Sequence, residues 1–283
     1  MAKMRIVCSM LVGVFVLGVV SVASASDIAY YIGGWNPGWY DQSQFDHVDQ
    51  IIADTSGVFM DVQKFDDKQF AEFEKWVKAN MSDDELDVIW LNGCMPSVLY
   101  PFPNKQPDGS LAEEWLLNGN MIINVGDWFG YVSYECGGAR CAENGTEGAA
   151  NILNLSPGII TFGDNTKLKK TPEANTYMPS LDDAPVTFRP VVTAEVKGDW
   201  EVAMIFASDT GDQSGARADP IVIHNVATDG YLAIINQAAN NVWIDRPAAV
   251  ADFINLWMVK NAVGYLAVEP KGKLTTTWGA LKR

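Results

Sequence analysis

The sequence predicts an α/β fold of three layers, in which a mainly parallel sheet carries helices on both faces. Short apolar runs alternate four times with amphipathic stretches between residues 27 and 126. The third run, "LDVIWLNG", is almost continuously apolar, as expected of a strand that is covered on both faces. The segments between runs are long enough for one helix each, which favours parallel strands joined by helical crossovers.

Each element of the first half has its own signal. Strands are expected where the apolar runs lie, at residues 28–32, 57–65, 86–93 and 120–125. Helices are expected where apolar side chains recur at helical spacing, at residues 44–54, 66–81 and 111–119. Ser110 is a typical N-cap residue for the third helix, and Gly119 is expected to end it.

The second half predicts a helix at residues 147–155, a polar stretch at residues 157–183 and then mostly strands. These strands are expected at residues 186–196, 200–208, 220–227 and 230–236. A closing helix over residues 246–263 has Pro247 in its first turn. We therefore expect one α/β domain over residues 26–262, followed by a tail, residues 263–283, that forms a hairpin.

The first 25 residues predict a signal peptide. Lys3 and Arg5 precede an apolar run that ends in Ala23-Ser24-Ala25, a small-x-small cleavage signal. Cleavage after Ala25 predicts an exported protein, periplasmic or secreted, with no stable membrane insertion; an uncleaved membrane anchor is the alternative. Removal of two cations and no acid changes the formal charge from −15 to about −17. Nucleic acid is not an expected partner of so acidic a chain.

Three cysteines remain in the mature chain. Cys136 and Cys141 are close in sequence and predict a disulfide bond in an oxidising compartment. Cys94 follows a strand and is expected to be a buried structural thiol, with a relocated nucleophile as the alternative. The spacing does not suit zinc, and we expect no cofactor.

Ligand-binding candidates lie where the predicted strands end, because ligands of parallel α/β sheets bind beyond the carboxyl ends of the strands. Asn92 follows the third strand, and Asp127 and Trp128 follow the fourth, in "NVGDWFG". Trp35 follows the first strand. Aromatic rings stack on the apolar faces of sugars, while amide and carboxylate groups bind hydroxyls. The alternative is that these rings are ordinary core and that Asp127 bonds to turn amides.

The order of elements resembles the class I glutamine amidotransferase-like superfamily, a flavodoxin-like fold, and within it the ThuA-like proteins. The resemblance covers roughly residues 27–259 and rests on "LDVIWLNG", "LAEEWLLNGNMIINVGDWFG" and "GYLAIINQAANNVWIDRPAAVADFINLWM". Catalytic members carry a Gly-x-Cys-x-Gly elbow and a His-x-Glu pair. In this sequence Gly126 and Gly130 match the two glycines, and Trp128 stands in place of the cysteine.

The histidines do not complete the family pattern either. His47 lies too early in the chain, and His224 has no Glu two residues later. Because an indole is no nucleophile, the resemblance implies a domain that has lost glutaminase activity.

A looser candidate is the loop "SDTGDQSGARADP", in which Asp209, Asp212 and Asp219 offer oxygen ligands for calcium. It lacks the spacing of an EF-hand, and a solvated acidic loop is the alternative.

Three functional hypotheses follow. The first is a non-catalytic domain that binds a small molecule, such as a carbohydrate, or a protein partner at the strand ends. The second is a hydrolase or other sugar-processing enzyme that uses Asp127 with a second, unidentified acid. The third is an interaction module of a surface assembly that uses the tail.

Overall fold

The computed structural model describes residues 26–135, 140–163, 165–242 and 244–263. The predicted signal peptide and the predicted tail hairpin lie outside these residues. Within the described ranges, no helix has the length and apolar character needed to cross a membrane.

The first half alternates strands and helices as predicted. Its elements are β1 (Ile28–Tyr31), α1 (Gln44–Asp54), β2 (Val62–Phe65), α2 (Phe70–Ala79), β3 (Val88–Leu91), α3 (Leu111–Leu117) and β4 (Met121–Gly126). The Ser110 side chain accepts a hydrogen bond from the Glu113 N–H, which confirms the predicted cap of α3. Gly119 takes a positive φ of 87° just after this helix, the conformation that favours glycine at a helix end.

The middle of the chain is built from short pieces. They are β5 (Val132–Ser133), β6 (Ala142–Glu143), α4 (Glu147–Leu153), β7 (Thr166–Lys167), β8 (Lys169–Lys170), α5 (Ala174–Tyr177), β9 (Val186–Thr187), β10 (Val191–Val192) and a 3-10 helix (Thr193–Glu195). The single strand predicted at residues 186–196 is therefore divided. Pro190, which has no N–H to donate, lies between β9 and β10, and these two strands pair with different partners.

The last third returns to the main sheet. It contains β11 (Trp200–Ile205), β12 (Ala207–Ser208), β13 (Arg217–Ala218), β14 (Ile221–Asn225), β15 (Gly230–Gln237), α6 (Arg246–Asp252), a π-helical segment (Phe253–Met258) and α7 (Val259–Asn261). Asp245 caps α6 by accepting the N–H of Ala248, and Pro247 lies in the first turn as predicted.

The main sheet has seven strands in the order β11-β14-β15-β4-β3-β1-β2. The five strands from β15 to β2 are parallel to their neighbours, and β14 and β11 extend the sheet antiparallel. Numbered along the chain, the parallel strands have the order 2-1-3-4-5, which is the flavodoxin-like order. The predicted fold class is confirmed.

Alternate residues of each strand enter two separate cores, one on each face of the sheet. In β1, Ile28 and Tyr30 pack in the core that contains α1 and α6, whereas Ala29 and Tyr31 pack in the core that contains α2, α3 and α4. All four side chains are buried. This alternation places the two helical layers on opposite faces and leaves the carboxyl ends of the strands for the loops that form the candidate site.

Candidate functional site

A cavity of about 310 Å³ lies at the carboxyl end of β4. Its walls come from the loop after β1 (Asn36, Trp39), the turn after β4 (Asp127, Trp128) and the middle segment of the chain. The volume is at the lower end of the range for small-molecule sites. The cavity therefore occupies the position where parallel α/β sheets bind ligands.

Asp127 is the first residue after β4, and its side chain is only 5% exposed. Its Oδ2 accepts a hydrogen bond from the Asn36 side-chain amide, and its Oδ1 accepts one from the Trp128 N–H at 2.7 Å. Burial raises the pKa of Asp127, while these two bonds and the cations Arg189 and Arg140 act in the opposite direction. The cavity thus contains a buried carboxyl group that is held in one orientation.

The backbone around Asp127 is held by neighbouring strands. Gly93, after β3, approaches so closely that a Cβ at this position would lie 2.3 Å from the Asp127 nitrogen. The Asn124 side-chain amide donates to the Asp127 carbonyl at 2.9 Å. Gln237, at the end of β15, accepts the Phe129 N–H at 2.7 Å and donates to the Arg189 carbonyl. The carboxyl ends of β3, β4 and β15 therefore hold the turn after β4 in place.

Aromatic rings form much of the cavity wall. Trp128 packs against Tyr131, with ring centroids 4.5 Å apart, and meets the edge of Phe162 at 4.9 Å. The Arg189 guanidinium lies 4.7 Å from the centroid of Trp39, 5.1 Å from that of Trp128 and 4.4 Å from that of Phe162. Phe162 is 59% exposed, which is unusual for a ring of this size, so part of the ring is accessible at the cavity.

The structure brings together two of the four predicted ligand-binding residues, Asp127 and Trp128. Trp35 packs edge-on against Phe45, at 6.2 Å, and does not line the cavity. Asn92 is fully buried, and its amide donates to the carbonyls of Gly33 and Gly34, so it supports the loop after β1. The indole of that loop that lines the cavity is the indole of Trp39 instead.

Sequence reasoning missed Asn36, Phe162, Arg189 and Glu143. The last three come from the middle segment, whose pieces are too short to show a periodic pattern. The sequence offered one signal for Arg189. Its neighbours Phe188 and Pro190 are apolar, which is an uncommon setting for a cation in an acidic chain.

The turn after β4 differs from a catalytic elbow. An elbow passes directly from strand to helix, whereas here the chain enters β5, which pairs with β6, and α4 begins only at Glu147. Gly130 nevertheless lies against the start of α4, since a Cβ there would lie 2.8 Å from the Ala149 nitrogen. The β5–β6 hairpin therefore lies between the turn after β4 and α4 in the sequence, but the turn and the helix still pack against each other.

Neither histidine lines the cavity. His47 contacts the Tyr40 hydroxyl at 3.0 Å, and His224 lies on β14 between Glu201 and Asp229. Among the described residues, therefore, no cysteine–histidine pair lines this cavity.

The cysteines divide into two cases. Cys94 is free and buried, and burial together with the nearby Asp127 and Asp67 raises the pKa of its thiol well above the usual value. A thiol in this state is a poor nucleophile, in agreement with a structural role. Cys141 takes part in a disulfide bond. Its predicted partner, Cys136, lies outside the described residues, so this pairing stays a prediction.

The three aspartates of the calcium candidate do not form a site. Asp219 is buried, and its two carboxylate oxygens accept the N–H groups of Asn236 and Gln237 at 2.6 and 2.7 Å. Asp209 and Asp212 are exposed, and Asp212 bonds to neighbours in its own loop. Among the described residues, no cluster of three histidine, cysteine or acidic side chains suits a metal ion. The alternation of buried and exposed positions along this loop separates the carboxylates.

Comparison with known proteins finds likeness in structure but none in sequence. No protein-family model matches the chain, and no curated protein matches it in sequence. Among solved structures, it is similar to the glutaminase domain of Trypanosoma brucei CTPS with bound acivicin. The alignment covers 81% of this chain and 91% of that chain, with 11% identity and a TM-score of 0.41. The fold class of this chain therefore rests on its own strand order.

Proposed function

We propose that this chain is an exported, non-catalytic domain of the glutamine amidotransferase-like superfamily, ThuA-like branch, and that it binds a small carbohydrate in the cavity after β4. The observation that carries the proposal is the combination of a hydrogen-bonded carboxyl–amide pair, the buried Asp127 and the half-buried Asn36, with the rings of Trp39, Trp128 and Phe162 in one cavity.

This combination suits a sugar for two reasons. The C–H faces of a pyranose ring pack on aromatic rings, and Phe162 is an aromatic ring of the cavity that is 59% exposed. Sugar hydroxyls both donate and accept hydrogen bonds, and Asp127 and Asn36 provide both kinds of group. A fixed carboxyl–amide pair binds hydroxyls without first losing side-chain freedom, which favours affinity.

The residue types in the cavity support the proposal that the domain lacks glutaminase activity. Trp128 stands at the position that the superfamily gives to its cysteine, and Cys94 is held as a buried thiol. Among the described residues that line the cavity, none has the chemistry of an activated acyl-transfer nucleophile.

The test uses Phe162→Ala, because an exposed ring can be removed without opening the core. Met60→Ala, at a side chain that is 68% exposed far along the chain from the cavity, is the matched control. Wild type and both variants are titrated by calorimetry with a panel of neutral monosaccharides and disaccharides. We expect roughly three- to tenfold weaker binding for Phe162→Ala and no change for Met60→Ala. Failure of wild type to bind any sugar contradicts the ligand class, and equal binding by Phe162→Ala contradicts the cavity.

A second candidate function is supported by Glu143, which lines the same cavity as Asp127. The two carboxyl groups have different surroundings: Asp127 is buried with a raised pKa, whereas Glu143 is half-exposed and pairs with Arg140 at 2.7 Å. Such a difference is typical of the acid and base of a glycoside hydrolase. Turnover of nitrophenyl glycosides that is lost in both Asp127→Asn and Glu143→Gln would favour this function over simple binding.

A further inference from the structure

The amino end of the sheet, opposite the ligand cavity, contains a buried carboxylate that lacks one partner. Ser26 and Asp27 lead into β1, and Ser26 is fully buried, with its carbonyl accepting the Met60 N–H at 3.0 Å. The Asp27 N–H donates to Oδ1 of Asp87 at 2.6 Å. The residues next to the predicted cleavage position are thus hydrogen-bonded to the segments that flank the amino end of the sheet.

Asp87 precedes β3 and is also fully buried. Its Oδ2 has no hydrogen-bond partner in the part of the chain that the structure describes. Burial, followed by the charges of Asp83, Asp27 and Glu85, raises the pKa of Asp87 to about 7. The remaining acid nearby is Asp61, whose N–H donates to the Asp27 carboxylate at 2.8 Å. These neighbouring charges are all negative, and a cation at Oδ2 would offset the cost of burying the Asp87 carboxylate.

We propose that cleavage between Ala25 and Ser26 creates an α-ammonium group at Ser26 that pairs with Asp87 and completes the amino end of the sheet. The chain brings the two groups near each other, because the nitrogen of Ser26 lies three bonds from the Asp27 nitrogen, at most about 3.7 Å away, and the Asp27 N–H is bonded to the Asp87 carboxylate. The inference rests on the export proposed above, but not on the ligand cavity at the other end of the strands.

The chemistry of the step is a hydrolysis. Water adds across the Ala25–Ser26 peptide bond, Ala25 leaves as a carboxylate on the released peptide, and the new Ser26 amine takes up a proton. Before cleavage this nitrogen is an uncharged amide. The cation that Asp87 lacks is therefore supplied by processing itself, so the mature chain is more stable than a chain whose amine is blocked.

The test compares the mature chain, residues 26–283, with a free amine and with an acetylated amine at Ser26. At pH 7 we expect acetylation to lower the Tm by roughly 3 °C or more. Asp87→Asn should abolish this difference, whereas Asp83→Asn, at an exposed neighbour, should retain it. Equal Tm values for the free and acetylated wild-type chains would overturn the proposal.

Two further measurements do not depend on the stability of the Asp87 variant. The α-amine of the native chain should react more slowly with an acylating reagent than that of the urea-unfolded chain, and equal rates would contradict the buried pair. The exported protein should yield an amino-terminal peptide that begins at Ser26, and any other start would contradict it. Sugar binding should be the same with a free or an acetylated amine, so a failure here is separable from a failure of the cavity proposal.

Discussion

Replacement of Gly93 by alanine would show how the end of β3 holds Asp127 in place. Gly93 has a φ of +85°, which costs a residue with a side chain about 1–2 kcal/mol. The new Cβ would also lie 2.3 Å from the nitrogen and 2.5 Å from the Cβ of Asp127, much closer than atoms pack. Overpacking of this kind typically costs about 1–3 kcal/mol. We expect Gly93→Ala to lower the free energy of unfolding by about 2–5 kcal/mol in total.

Gly57→Ala separates the two contributions. Gly57 has nearly the same φ, +86°, but no atom lies within 4 Å of a Cβ built there. The control variant should therefore lose only the conformational part, about 1–2 kcal/mol. Urea unfolding at pH 7 measures both variants. If Gly93→Ala loses no more free energy of unfolding than Gly57→Ala, the close contact with Asp127 is refuted.

The remaining predictions concern other parts of the fold. Trp128→Ala should lower the free energy of unfolding by about 3–5 kcal/mol in urea, because the indole is buried, and a loss below about 1 kcal/mol would contradict that burial. Burial raises the pKa of Asp219 to about 6, above its unfolded value, so its contribution to stability is complete below about pH 4 and is lost as the pH rises through 6. In Asp219→Asn the urea midpoint should therefore change less between about pH 4 and pH 6 than in wild type. The same pH dependence in both proteins would argue against the shift. The Cys94 thiol should react with a disulfide reagent only on unfolding, and rapid labelling of native protein would disprove its burial. Ser110→Ala should cost about 1 kcal/mol through the lost cap of α3, and no change in urea midpoint would show that the cap is not needed.

The main sheet could be predicted because its strands are buried on both faces. Runs such as Val88–Leu91 are apolar at every position, and the helices between them show one apolar side each. Both signals are local, so they are visible without knowledge of the fold. The middle segment has strands of only two residues, and their pairing depends on partners far away in sequence. Its long polar stretch therefore gave no usable periodicity.

The candidate site shows the same division between local and long-range information. Asp127 and Trp128 could be predicted because the end of a parallel strand is a ligand position whatever the rest of the fold. Trp35 and Trp39 belong to one loop, and only the tertiary packing of Trp35 on Phe45 decides which ring reaches the cavity. Phe162 reaches the cavity from the middle segment, whose course cannot be predicted from a local sequence pattern.

The central claim is that the cavity after β4 is the ligand site, and an NMR titration tests it most directly. Wild-type protein is titrated with a sugar that binds in the calorimetric panel, and the tryptophan indole and asparagine side-chain N–H signals are followed. We expect the signals of Trp128, Trp39 and Asn36 to shift with one common Kd while the Trp35 signal stays unchanged. Shifts at Trp35 without shifts at Trp128 and Asn36 would contradict the claim.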